Sequence, residues 1–281
     1  AKMISAYVGL VAMAIYALCS FSQFRWFANN WVTSQNNGTT KVIPAPNPAL
    51  STAVIAIVSH GIYVALEMKT KSGIDLSFFN VGCLVSLAIN IAVLLSSIRQ
   101  PVHTLFFIVF SIAILTIFSS MLVGTTATPR TNISAELLTH ILMSIVAYSI
   151  LALAACQAAV LLVFEGRLRR RMSLRFVRSL PPLETMETVL FQWLSTGLFL
   201  LTIAISSGFI FLYDQFSEHV TQHHTVLSMA SWIIYTTIFI GNYFFGWRGS
   251  TTSRWILVGF VLLMTGYFGT KFIIEFILVR G

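Results

Sequence analysis

AELLTHILMSIVAYSILALAACQAAVLLVFEGRLRRR, residues 135–171, carries a membrane span and the signal for its orientation in one run. From Leu137 to Phe164 there is no Asp, Glu, Lys or Arg. A helix needs about 20 mostly apolar residues to cross the hydrocarbon core, and this run supplies more. It then breaks into Arg167, Arg169, Arg170 and Arg171, with Arg175 and Arg178 close behind. Short loops rich in arginine stay on the cytoplasmic side, so this helix runs inward.

The same pattern extends in both directions. Four apolar runs precede it, at 3–24, 50–66, 78–98 and 102–123. Three follow the fifth span at 135–164, at 189–213, 225–245 and 255–278. The expectation is an all-α, polytopic bundle of about eight transmembrane helices, one transmembrane domain over 1–281 with a cytoplasmic basic loop at 165–188. Composition agrees: 57% of the chain is hydrophobic and 9% is charged, where a soluble domain carries about 25% charged residues. The first run reads as a retained helix, because no cleavage-site pattern accompanies it.

Alternating the loops across the bilayer places Arg25 and Lys41, Arg99, and Arg248 with Arg254 on the side of the arginine loop. Glu67 to Asp75, Arg130 to Glu136 and Asp214 to His224 fall on the other side, and both termini are expected outside. The net charge of +8 gathers in the basic loop. It reads as an orientation signal facing anionic lipid headgroups and not as a nucleic-acid surface. Cys19, Cys83 and Cys156 each lie in an apolar run without a CxxC pair and read as packing residues.

Polar side chains at membrane depth are costly and mark candidate sites. His60 lies in IAIVSHGIYVAL and His140 in SAELLTHILMSIVAYS, each one to two turns below the outer surface. Matched depth on oppositely directed helices suits two imidazoles ligating one haem iron, or one axial ligand with a partner. Alternatively, each histidine hydrogen-bonds a neighbouring helix. EHVTQHHTV adds His219, His223 and His224 in the outer connection, a weaker set of candidate ligands. Lys271 and Glu275 are spaced for an i, i+4 ion pair. GxSxG, Walker and HExxH patterns are absent, as are paired carboxylates within a span, so no enzyme activity is expected.

Four segments carry a family resemblance: SGIDLSFFNVGCLVSLAI, LLTHILMSIVAYSILALAACQAAVLL, LPPLETMETVLFQWLSTGLFLLTIAISSGFIF, and GWRG followed by RWILVGFVLLMTGYFGTKFI. In this order the chain resembles the cytochrome c assembly proteins, closest to their YpjD/HemX-like branch of bacterial inner membranes. The resemblance runs from about Ala49 to the C-terminus. It implies a multi-pass protein of the bacterial inner (plasma) membrane with a haem-handling face outside. His140 matches the family's histidine at the start of the equivalent helix, and would ligate haem iron. Three positions depart from the better-known haem handlers. The tryptophan-rich loop before helix seven is replaced by DQFSEHVTQHHTV. The run before GWRG, IFIGNYFF, holds no histidine, and neither does TKFIIEFIL after YFG.

The resulting expectation is a non-catalytic protein that binds or senses haem, or supports cytochrome assembly, through His140 and His60. Its partners would be the bilayer and other membrane proteins of haem or cytochrome maturation or respiration. The alternative is a structural or regulatory subunit that binds no haem, in contact with another membrane complex.

Overall fold

The computed structural model describes residues 2–37, 47–70, 73–100, 102–123, 133–169, 182–211 and 219–278. Its long helices are α1 (Lys2–Asn37), α2 (Asn47–Met68), α3 (Phe78–Ser97), α4 (His103–Val123), α5 (Ala135–Arg169), α6 (Leu183–Phe211), α7 (His219–Phe245) and α8 (Ser250–Met264). The chain runs on from α8 without a break through wider π turns at Thr265–Gly269 and Ile273–Leu278, separated by Thr270–Phe272. Among the described residues, eight helical segments are long and apolar enough to cross a membrane. The chain is thus a polytopic α-helical membrane protein. A two-rung hairpin, β1 (Lys69–Thr70) with β2 (Gly73–Ile74), joins α2 to α3. Its turn uses Gly73 at φ +136°, backbone that a side chain would strain.

Helix starts are written in the sequence. Ser134 precedes α5, and its Oγ accepts the Leu137 N–H at 3.2 Å, satisfying one of the first-turn donors. The Asp75 carboxylate accepts the Ser77 N–H at 2.9 Å, just ahead of α3. Pro182 comes immediately before α6, where its missing N–H costs nothing.

Packing divides the helices into two groups that meet at α5. In one, α1 lies against α2 and α4, and α3 against α2 and α4. In the other, α5 contacts α6 and α8, and α7 packs on α8 and α6. Contact between α3 and α5 joins them. The central place of α5 follows from its sequence. Ala147, Ala152, Ala154, Ala155 and Ala158 are all buried, and small side chains let neighbouring backbones approach. Two-thirds of its most hydropathic stretch (67%) is buried, against 44% or less in any other span. On α6, Gly197, Leu201, Ala204 and Gly208 form one buried stripe at helical spacing. A Cβ on Gly197 would fall 2.7 Å from Leu151 of α5, so contact requires glycine there. Apolar residues such as Leu10, Phe107, Leu115 and Phe199 point outward, as expected where the solvent is lipid. Cys19 and Cys83 are buried, Cys156 is half-buried, and all three are free thiols.

At the end of α7 the GWRG segment makes a tight return. Gly246 and Gly249 take φ values of +66° and +83°. Trp247 folds back over Gly241, and its carbonyl accepts from Asn242 Nδ2 at 2.9 Å. The Gly249 N–H then donates to Glu187 Oε1 at 3.1 Å. Two segments of the family resemblance, LETMET and GWRG, are therefore clamped together by one hydrogen bond.

The arginine pattern gives a prediction of sidedness. Cysteine at Ser72 should react with a membrane-impermeant maleimide in intact spheroplasts. Cysteine at Ser173, in the basic loop, should react only after permeabilisation. The reverse labelling would invert the topology.

Candidate functional site

The candidate histidines fall in two places. His60 is fully buried, and its Nδ1 lies 3.2 Å from the hydroxyl of Tyr16 on α1. The two rings meet edge to face, and Tyr16 continues onto Phe110 of α4. His60 Nε2 has no hydrogen-bond partner. His140 belongs to the other group of helices. Its Nδ1 lies 3.0 Å from Ser207 Oγ on α6. The contacts of His60 and His140 thus involve different helix pairs, α1–α2 and α5–α6.

A third histidine, His224, lies on α7. It opens the stretch of α7 that is long and apolar enough to cross a membrane, His224–Phe245. Its Nε2 is 3.4 Å from the hydroxyl of Tyr148, two turns further along α5. Its ring meets Tyr267 edge to face at 6.0 Å, and Tyr148 meets Tyr267 at 5.9 Å. One imidazole and two phenols thus form a cluster, built from α5, α7 and the first π turn. The side chains of His219 and His223 lie outside the described residues.

The backbone explains how these groups converge. Gly208 faces His140, where a Cβ would stand 3.0 Å from the ring's Cε1. Gly266 faces the first turns of α7, where a Cβ would stand 3.1 Å from Leu227 and 3.5 Å from the His224 carbonyl. Glycine at both positions lets α6 close on α5 and α7 close on the last helix. The π turn at Thr265–Gly269 holds Gly266 and Tyr267 side by side, and such turns in α-helices recur at functional sites.

The tautomer of His140 follows the Ser207 proton. Ser207 has one hydroxyl proton and donates it to the Ala204 carbonyl at 2.8 Å. With that proton on the Ala204 carbonyl, the same oxygen accepts toward His140, and the ring nitrogen facing it, Nδ1, is the donor; with the proton turned to Nδ1 the tautomer is the reverse. In the first arrangement the neutral ring holds a free lone pair on Nε2. Metal-ligating histidines are commonly set this way, with the non-ligating N–H fixed by an acceptor. In the tautomer with hydrogen on Nδ1, the His140 Nε2 is the nitrogen that would ligate a haem iron, with Ser207 holding the ring. Among the described residues no group of three or more His, Cys, Asp or Glu is placed to hold a bare metal ion.

Beside the histidines stands a charged cluster. Lys271 pairs with Glu275 at 3.9 Å, as the i, i+4 spacing predicts. Lys271 Nζ also donates to the Leu76 carbonyl, and Glu275 Oε2 accepts the Phe78 N–H at 2.9 Å. Together they fasten the last helix to the start of α3. Lys271 Nζ sits 5.8 Å from the centre of the Tyr267 ring.

Tyr148, Ser207 and Tyr267 were not candidates on sequence grounds. Each nevertheless falls in a segment of the family resemblance: Tyr148 in SIVAYS, Ser207 in ISSGF and Tyr267 in YFG. What was missing was the packing that turns them toward the histidines.

A bundle with eight helical segments able to cross a membrane among its described residues defines a polytopic membrane protein. The chain belongs to the family described as Cytochrome C assembly protein, whose model matches residues 48–278. It is 31% identical to the inner membrane protein YpjD of Escherichia coli K12 over 82% of this chain and 87% of that protein. The YpjD of Escherichia coli O157:H7 matches equally. A 28.8 kDa protein of Azospirillum brasilense is 26% identical over 50% of this chain and 52% of its own length. No solved structure is a significant match. The protein is accordingly a multi-pass inner-membrane protein.

Proposed function

We propose that this protein binds haem at the outer face of the membrane, with His140 as the principal axial ligand and His224 as the second. Haem would supply an iron that takes two imidazole nitrogens and a flat apolar ring suited to the lipid boundary. The observation that carries the reading is the Ser207 contact on His140 Nδ1, which holds the ring from behind and leaves Nε2 as the nitrogen that would meet a ligand. His224 is positioned by Tyr148 and Tyr267, and these two phenols give the site an aromatic wall. The departures from the better-known haem handlers point to holding or sensing haem in support of cytochrome assembly, not to attaching it. His60, set against Tyr16, serves the packing of α1 on α2 in this reading.

The test is the visible spectrum of the protein purified in detergent and titrated with haemin. A saturable Soret band is expected in the wild type. In His224→Ala the band should persist but shift, with affinity lower by about tenfold, as an axial partner is lost while the first ligand stays. Protein that stays colourless with haemin removes the proposal and leaves the reading of a structural or regulatory subunit.

A further inference from the structure

The α1–α4 group contains a polar seam that the histidine site does not use. At the outer end of α3, Asp75 Oδ1 accepts the Ser77 N–H, and Asp75 Oδ2 has no hydrogen-bond partner among the described residues. Ser77 Oγ, at the cap position of α3, has none either. One turn inward, Tyr63 of α2 donates to Ser120 Oγ of α4 at 3.1 Å, and Ser120 donates to Asn80 Oδ1 of α3 at 3.0 Å. The carbonyl side of the Asn80 amide is thereby committed, and its Nδ2 is left unpartnered. The Cys83 thiol follows a turn below, in contact with the Ser120 and Thr116 hydroxyls. Deeper on the same helix, Asn90 gives Nδ2 to the Ser86 carbonyl at 2.7 Å and leaves Oδ1 unpartnered. Asp75, Ser77, Asn80, Cys83 and Asn90 are each 4% exposed or less.

Buried polar atoms are costly unless something hydrogen-bonds them. The open set at the outer end of α3 mixes a carboxylate oxygen and a hydroxyl with one amide donor. The amide N–H disfavours a cation there, and the carboxylate disfavours an anion. Water can donate to Asp75 Oδ2 and accept from Asn80 Nδ2 at once, and a buried water typically makes about three such bonds. We infer that the seam between α2, α3 and α4 is a hydrated inlet from the outer face, in which water binds Asp75, Ser77 and Asn80 and reaches Cys83. Polar side chains at membrane depth line paths of this kind. The inlet stands apart from the haem reading, since it lies in the helix group that holds neither His140 nor His224.

X-ray radiolytic footprinting of the full chain in detergent, in water enriched with oxygen-18, tests the inlet. Hydroxyl radicals formed from bound water oxidise the side chains beside it, and the heavy oxygen shows that this water exchanges with solvent. With each rate normalised to that of the unfolded chain, Cys83 and Tyr63 should be labelled well above Met186, which is similarly buried on α6. In Asn80→Leu the labelling of Cys83 and Tyr63 should fall to the level of Met186. Ser77→Ala, a smaller change that removes one of the partners, should lower it partway. Wild-type Cys83 and Tyr63 labelled as weakly as Met186 would overturn the inference. So would labelling that persists at full strength in both Asn80→Leu and Ser77→Ala, because the water would then be held elsewhere.

Discussion

In His140→Ala, the Soret band of protein purified with haem should disappear, while His60→Ala should keep it. His60 is buried and His140 half-buried, and both sit near one phenol or hydroxyl, yet their surroundings differ in kind. His140 has its Nδ1 against Ser207, which holds the ring from behind. That leaves Nε2 as the nitrogen that would meet a ligand and fixes the ring's direction. His60 is closed in by Tyr16 and the α1–α2 contact, with no exposure at all. A porphyrin could reach it only by parting helices. Between these extremes stands Ser207→Ala, which keeps the ligand but frees its ring. Loss of such an outer partner costs about 10–100-fold in metal affinity, so the variant should bind haemin measurably but weakly. Titration of all three variants against haemin orders them as His60→Ala, Ser207→Ala, His140→Ala, from tightest to none. A band in His140→Ala as strong as the wild type would show that the iron is held elsewhere.

Gly241→Val should lower thermal stability more than a substitution on the lipid-facing side of α7. A Cβ at 241 would stand 2.1 Å from Trp247, inside the indole itself. The tryptophan cannot swing away cheaply. Its N–H is bonded to the Gly241 carbonyl, and its carbonyl to Asn242, and the next turn depends on Gly249 meeting Glu187. Valine must therefore undo the GWRG return. Overpacking costs of about 1–3 kcal/mol are usual where a core must shift, and this site has little slack. Each kcal/mol lowers the midpoint by roughly 2–4 °C in chains of comparable size. The check is a thermal melt followed by size-exclusion recovery, with Val226→Ala as the exposed control on the same helix. Equal midpoints for Gly241→Val and wild type would mean that the Trp247 return does not stabilise the bundle.

Most of the fold could be read from hydropathy, because a membrane leaves a chain few alternatives. Backbone groups in lipid must be paired internally, so each long apolar run becomes a helix. The runs at 78–98 and 102–123 correspond to α3 and α4 almost residue for residue. Helix ends were less legible. The sixth apolar run starts at 189, but α6 begins at Leu183, because Glu184 can sit in a first turn and the helix starts in the interfacial layer. The wider turns in the last helix have no hydropathy signature. TGYFGTKF reads as ordinary helix, and only its glycines hint that a neighbour comes close.

The site was legible in part. His140 stood out from its depth in α5 and from the family resemblance. Its neighbour did not, because depth alone says nothing about which way a side chain turns around its helix. Their positions along the spans give His60 and His140 the same expected depth, but α2 turns His60 toward α1. His224 looked like one histidine of a polar loop, since EHVTQHHTV has no apolar periodicity. It acquires its place from Gly266, which lets the start of α7 lie against the last helix and Tyr267. Close approach through a single glycine is a tertiary fact with almost no local trace.

Electron paramagnetic resonance of the ferric, haem-loaded wild-type protein tests the pairing of His140 with His224 most directly. The predicted result is a low-spin signal from two imidazole ligands, replaced by a high-spin signal in His224→Ala. A high-spin wild type, or a low-spin signal that survives loss of His224 unchanged, would contradict it.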